Sequence, residues 1–240
     1  MPRIADGSIR TVMSRDADKR LAAIAAVGEV RDGMLIGLGT GSTAAFAIDE
    51  IGRRCRTGLN IRAAATSLAT EARARAAGIP LVPFDDVSAL DLAIDGADEI
   101  DPALHAIKGA GGAMLREKII AAAAARMIVI ADGSKRVVAL GAAPVPVEIL
   151  LFARGFVTAA IGKLGGTPVL RTHDGVAYRT DQGNPVLDCR FATIADPVAL
   201  AAALSAIPGV LGHGLFVREI DAVYFADNGV IDRIERPADT

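Results

Sequence analysis

The 240-residue sequence is poor in the residues that build metal centres and disulfides. Its only cysteines, Cys55 and Cys189, form no CxxC pair and have no histidine beside them. They indicate neither a disulfide framework nor a zinc site and read as small buried hydrophobes. His105, His173 and His213 stand apart, without HxH or HExxH spacing, so no metal site and no Ser/His/Asp triad can be assembled from them. The formal net charge is only -2 and the basic residues are scattered, which leaves no stripe for nucleic acid and no patch for an anionic membrane. No apolar run reaches transmembrane length. The opening "MPRIADGSIRTVMSRDADKR" lacks the apolar core of a signal peptide, and the expected location is the cytoplasm.

What is present is apolar residue, 52% of the chain, arranged with clear periodicity. Leu21, Ile24, Ala25 and Val27 recur at helical spacing, and "RDGMLIGLG" follows as a turn and a short buried strand. The alternation continues with "STAAFAIDEIGRR" as helix, "NIRAAA" as strand, "LATEARARAAG" as helix, then strands at "LVPF" and "LDLAIDG". After the helix "AMLREKIIAAAAA" comes the strand "RMIVIAD". This pattern predicts an α/β domain built on an open, mainly parallel sheet with helices on both faces.

"GAAPVPVEIL" reads as a crossing between domains, because proline interrupts helix and central strand alike. Beyond it a helix near 152–164, strands at "TPVLRT", "VAYRT" and "PVLDCRF", a helix at "PVALAAALSAI" and a strand at "VLGHGLF" predict a smaller α+β domain of ferredoxin-like type. "TDQGNP" is its expected hairpin turn. "AVYFAD" and "GVIDRIE" are strands free to return to the first sheet. The expected division is 1–145 plus 217–240 for the large domain and 146–216 for the small one.

Polar groups gather at strand ends. "GLGTGST", Gly37 to Thr43, enters a helix from a strand, but Ser42 replaces the third glycine of a dinucleotide fingerprint and no acid closes the strand "NIRAAAT". No lysine precedes Ser42 or Thr43 as in a Walker loop. Two readings stand: a cradle for one phosphate made by Thr40, Gly41, Ser42 and Thr43 with free helix N-H groups, or a tight turn capped by a hydroxyl. Asp95 and Asp98 follow the next strand around Gly96 and Ala97, either as reactive acids or as an Asx-type turn. Lys108 precedes "GAGG", Gly109 to Gly112 with Ala110 inside it. Glu117 enters a helix whose later turns are apolar, either as a desolvated base or as an ordinary first-turn acid. Lys135 in "ADGSKRV" ends a further strand. Convergence of these groups on one rim favours a polar ligand.

"GLGTGSTA", "DLAIDGADEID", "IKGAGGAMLREKII", "IADGSKRV", "PVPVEI", "KLGGTP" and "DQGNPVLD", in this order, resemble ribose-5-phosphate isomerase of the A type, from about Arg15 to the final strand. The resemblance implies a Rossmann-like domain with a smaller α+β companion, no metal and no cofactor, a sugar phosphate substrate, and assembly as a homodimer or homotetramer. It implies Glu117 as catalytic base, with Asp95, Asp98 and Lys108 on the other active-site positions. Thr40 to Thr43 correspond to the substrate loop, Gly96, Ala97, Gly109, Ala110 and Gly111 to its neighbours, and Lys135 and Lys19 to phosphate-side lysines. Ala110 departs from the three consecutive glycines of some members, and Gly133 stands where some have alanine. Two rival functions are a sugar-phosphate sensor, which would normally carry a DNA-binding helix pair not visible here, and acyl transfer through a glutamyl thioester.

Overall fold

The computed structural model describes residues 14–237. Most of the opening stretch read for a targeting segment therefore lies outside the described residues. In chain order come α1 (Arg15–Val27), β1 (Leu35–Leu38), α2 (Ser42–Arg56), β2 (Arg62–Ala65), α3 (Leu68–Ala76), β3 (Leu92–Gly96), β4 (Glu99–Ile100), β5 (Ala106–Ile107), α4 (Met114–Ala123) and β6 (Met127–Asp132). Then follow β7 (Val145–Ile149), α5 (Arg154–Lys163), β8 (Thr167–Leu170), β9 (Thr172–His173), β10 (Val176–Ala177), β11 (Val186–Arg190), α6 (Pro197–Ser205), β12 (Val210–His213), β13 (Leu215–Phe216), β14 (Ala222–Asp227) and β15 (Val230–Glu235).

The central sheet has the order β15-β14-β6-β3-β1-β2 and is parallel except for β15. Strand order reverses at β1, with β2 on one side and β3 on the other. In an open α/β sheet that reversal opens a crevice at the carboxyl ends of the two strands. Every residue of β6 is buried, as expected for a strand covered on both faces. One face packs on α1 and α2 through Ala22, Val27, Ile48 and Ile51, and the other on α4 through Ile120 and Ala121. Local chemistry sets the helix starts. Ser14 accepts from the Ala17 N-H at α1, Ser67 from the Thr70 N-H at α3, and Asp196 from the Ala199 N-H at α6, each cap contributing about 1 kcal/mol.

The smaller unit is a four-stranded antiparallel sheet of order β12-β7-β11-β8 carrying α5 and α6, the βαββαβ arrangement of ferredoxin-like folds. Here the expectation that proline keeps "GAAPVPVEIL" from forming a central strand is corrected: Val145–Ile149 is a fully buried interior strand. Pro146 is tolerated because its N and O face the same edge, towards Gly214, where β12 has already ended and only the carbonyl is used, accepting from the Gly214 N-H at 2.7 Å.

Three further expectations change in detail. "VAYRT" pairs with β9 rather than β11, through a turn at Asp174 and Gly175, both at positive φ, while "TDQGNP" is a separate turn closed by Thr180 and Asn184. "LVPF" is reduced to a bridge between Leu81 and Ala63, since Pro80 and Pro83 lack donors. "VLGHGLF" breaks at Gly214. β12 stays in the four-stranded sheet and β13 joins β5 and β4 in a three-stranded one. The two final strands do return to the central sheet.

Candidate active site

At the β1/β3 reversal the two strand ends interlock. The Gly39 N-H donates to the Ile94 carbonyl at 2.9 Å, and the Thr40 N-H to Asp95 Oδ1 at 3.0 Å. Only glycine fits at 39, because a Cβ there would stand 2.0 Å from Asp95 Oδ1. Asp95 Oδ1 also accepts from the Gly96 N-H at 2.7 Å, so this oxygen holds backbone N-H groups, though not the N-H two residues on that defines an Asx turn. Its other oxygen, Oδ2, is 2.9 Å from Lys108 Nζ.

Lys108 follows β5 directly, and its backbone N-H donates to the Gly214 carbonyl at 2.8 Å, where β12 and β13 part. The side chain is 2% exposed and its ammonium faces Asp95 Oδ2, Glu117 Oε2 at 3.3 Å and the Gly96 carbonyl. The Phe216 ring centroid is 5.3 Å from this ammonium and 3.9 Å from that of Lys118.

Glu117 is held by the first turn of α4, with its N-H on the Ala113 carbonyl. Burial pushes its carboxyl up to about 8, helped by the Asp95 charge and opposed by Lys108. Burial raises Asp95 too, with Lys108 and the Gly96 and Thr40 N-H groups pulling the other way. Burial works against the charged form of Lys108, but the Asp95 and Glu117 carboxylates outweigh it and hold the ammonium charged. Asp95 Oδ2 and Glu117 Oε2 have no well-aligned hydrogen bond among the described residues. Both depend on the Lys108 charge.

A cavity of about 250 Å³ opens beside this triad. One wall is Thr40 to Thr43, a second is Gly96 to Asp98, and a third is Lys108 to Gly111, with Glu117 and Lys135 completing it. Gly41, at φ 108°, precedes α2 without any side-chain cap, which leaves the helix N-terminus open to an anion. Thus the capped-turn reading of Ser42 and Thr43 does not hold. Asp98 Oδ2 accepts from the Ala110 N-H at 3.0 Å and so ties the second wall to the third.

Two expected residues sit differently. Thr40 lines the cavity, but its hydroxyl is engaged in a cluster with Thr66, Ser67 and Thr70 at 2.7, 2.8 and 3.0 Å, which stiffens the loop. Lys19 pairs with Asp16 at 3.1 Å and is not part of the cavity wall. The hydroxyl cluster went unread in the sequence, although "ATSLAT" offered a signal as one more polar strand end. Arg171 and Tyr178, whose side chains reach the carbonyls of Gly109, Ala110 and Gly111, had no sequence signal at all.

A larger cavity of about 690 Å³ lies between α3 and α4, walled by Leu68, Phe84, Leu115 and Ile119 among others. None of the rim acids or lysines reaches it, which leaves the smaller cavity as the candidate site. Among the described residues no three His, Cys, Asp or Glu are grouped to hold a metal, and no helix is long and apolar enough to cross a membrane.

Comparison with known proteins agrees with this geometry. The family described as ribose 5-phosphate isomerase A (phosphoriboisomerase A) matches residues 62–229. The ribose-5-phosphate isomerase A of Sphingopyxis alaskensis is 53% identical over 216 residues, covering 90% of this chain and 95% of that protein. That of Roseiflexus castenholzii is 51% identical, over 89% and 94% respectively. Among solved structures, ribose 5-phosphate isomerase A from Methanocaldococcus jannaschii superposes with a TM-score of 0.88 at 38% identity, over 92% of this chain and all of the other. A D-ribose-5-phosphate isomerase in complex with phospho-erythronic acid gives 0.90 at 35% identity, over 93% of this chain and all of the other.

Proposed function

The chain belongs to the ribose 5-phosphate isomerase A family, and from that premise we propose how the rim of strand ends interconverts ribose 5-phosphate and ribulose 5-phosphate. The reaction is redox-neutral: a proton leaves C2, a proton arrives at C1, and the carbonyl moves from C1 to C2. It requires a base and a cation for the charge that develops on oxygen.

Glu117 takes the C2 proton, and the bonding pair forms the C1–C2 double bond of an enediolate. Lys108 carries the negative charge that shifts onto O1, a contribution often worth about 3–4 kcal/mol in a dry site. Asp95 relays a proton from O2 to O1, and Glu117 returns its own proton to C1. Asp98, beside the Ala110 N-H, assists ring opening. The substrate phosphate rests on the uncapped start of α2, at Ser42 and Thr43, with Lys135 across from it, and this remote binding orients C1 and C2. Lys19 is a candidate for the same phosphate only through its family position.

The observation that carries this reading is a buried ammonium between two buried carboxylates on the wall of a cavity whose other wall is an open helix N-terminus. A relative of known structure held phospho-erythronic acid, a phosphorylated sugar acid that combines the two anionic groups such a cavity suits. The test is ribulose 5-phosphate formation by purified protein in EDTA, with Glu117→Gln alongside. Native turnover that vanishes in the variant supports the assignment, and a fully active Glu117→Gln protein sinks it.

The same reading treats 1–145 with 217–240 as the catalytic domain and 146–216 as the smaller one. It places the protein in the cytoplasm, where its charged substrate is made and used. Homodimeric or homotetrameric assembly would cover the exposed side chains of Leu151, Phe152 and Phe156, and sedimentation analysis distinguishes the two states.

A further inference from the structure

We propose that Arg171, in the smaller antiparallel unit, is a positioning residue for the isomerisation, because it fixes the glycine loop so that the Gly111 N-H faces the reacting sugar. The inference rests on the site assignment above.

The loop after Lys108 presents three carbonyls to the smaller unit. Arg171 Nη1 donates to the Gly109 and Ala110 carbonyls at 3.1 Å each, and the Tyr178 hydroxyl donates to the Gly111 carbonyl at 3.2 Å. Arg171 is itself held in a fork on Asp188 of β11, Nε to Oδ2 at 2.9 Å and Nη2 to Oδ1 at 2.5 Å, with its guanidinium 5.5 Å from the Tyr178 ring centroid. A bidentate carboxylate pair fixes a guanidinium in direction as well as position.

A trans peptide points its C=O and the following N-H in opposite directions. Pulling the Gly109 carbonyl outward therefore turns the Ala110 N-H inward, where Asp98 accepts it. Pulling the Ala110 carbonyl outward turns the Gly111 N-H inward in the same way. Among the described residues no acceptor takes that N-H, and Gly111 lines the cavity. It is left to donate to a sugar oxygen. Were either peptide to flip, a carbonyl would face the enediolate and repel the charge that Lys108 is there to stabilise.

The test measures kcat, KM, the inhibition constant of inorganic phosphate and Tm for Arg171→Gln and Arg171→Lys, with Glu117→Gln as reference. Arg171→Gln should lose about 10- to 100-fold in kcat, as misplacement of a catalytic wall by about 1 Å does. Arg171→Lys, which keeps a donor but not the fork, should recover part of that loss. Phosphate inhibition should change by less than about twofold, because Ser42, Thr43 and Lys135 lie off the loop and act independently of it. The proposal is overturned if folded Arg171→Gln retains native kcat, or if kcat and phosphate affinity fall together in proportion to Tm. Should Arg171→Gln fail to fold, Asp188→Asn carries the test: a selective loss of kcat supports the clamp and native kcat overturns it. Full activity in Glu117→Gln would instead remove the site assignment on which the clamp rests.

Discussion

The two ends of the central sheet carry charge clusters of similar composition and opposite consequence. At the carboxyl end, Asp95, Lys108 and Glu117 are almost completely buried. At the amino end, Arg126 pairs with Glu29 at 2.9 Å and Glu235 at 2.7 Å, Arg233 joins them, and the Tyr224 hydroxyl donates to Glu29 at 2.6 Å. Glu29 is partly in water; burial raises it, but the Arg126 and Tyr224 hydrogen bonds outweigh burial and leave its carboxyl below the ordinary range. Glu117, with less water and a carboxylate neighbour, is driven the other way, to about 8. Satisfied charges at a surface stabilise modestly, whereas desolvated charges held against one another are reactive. The candidate site sits where the sheet's crevice makes desolvation possible.

The sharpest way to break this contrast is Glu117→Gln, which should lower kcat by about 10²- to 10⁴-fold, the usual range for a lost general base, in a steady-state assay. Lys108→Met should follow, with kcat down about 10²- to 10³-fold. It also removes the cation that lies against two buried carboxylates, so its Tm should fall most at alkaline pH. The activity profile comes next. The base must be deprotonated to act, so kcat/KM should rise with pH through about 8 and not level off near the usual carboxylate range.

Linkage separates the two ends by sign. Glu117 binds its proton more tightly folded than unfolded, so its contribution to stability is present below about 4.5 and is lost as pH rises through about 8. Glu117→Gln should therefore gain in Tm over the native protein as pH is raised from 6 to 9. Glu29, shifted downward, contributes above its unfolded pKa, and that contribution is lost as pH falls through the folded value. The smallest effect belongs to Arg126→Met, expected to cost roughly 1 kcal/mol in urea unfolding with kcat unchanged, since exposed pairs are worth about that little.

Much of the site was legible because its residues cluster in short motifs next to strand ends. Gly41, Ser42 and Thr43 read as part of a phosphate cradle, Asp95 and Asp98 as acids around a turn, and Glu117 as an acid entering an apolar helix. The last was legible because desolvation follows from local composition: Ile120 and Ala121 lie within one turn of Glu117 and are buried with it. Thr40 was legible as part of the loop but not in the direction of its hydroxyl, which only the hydroxyls of Thr66, Ser67 and Thr70 explain. Pro146 misled for a related reason. A proline in a strand breaks a ladder only where a partner awaits its N-H, and the missing partner is a property of how β12 ends.

The order of helices and strands, the parallel character of the main sheet and the identity of the acids and lysines are properties of the chain itself. They follow from hydrophobic periodicity and turn chemistry, which act over a few residues. The reversal of strand order at β1, the insertion of Lys108 between Asp95 and Glu117, and the reach of Arg171 from the smaller sheet to the glycine loop were decided only by tertiary structure. Each joins residues about ten to sixty positions apart, and no local propensity encodes which distant groups will share a desolvated space. The raised basicity of Glu117 belongs to both: the sequence supplied an acid in an apolar helix, and the fold closed a buried aspartate and lysine around it.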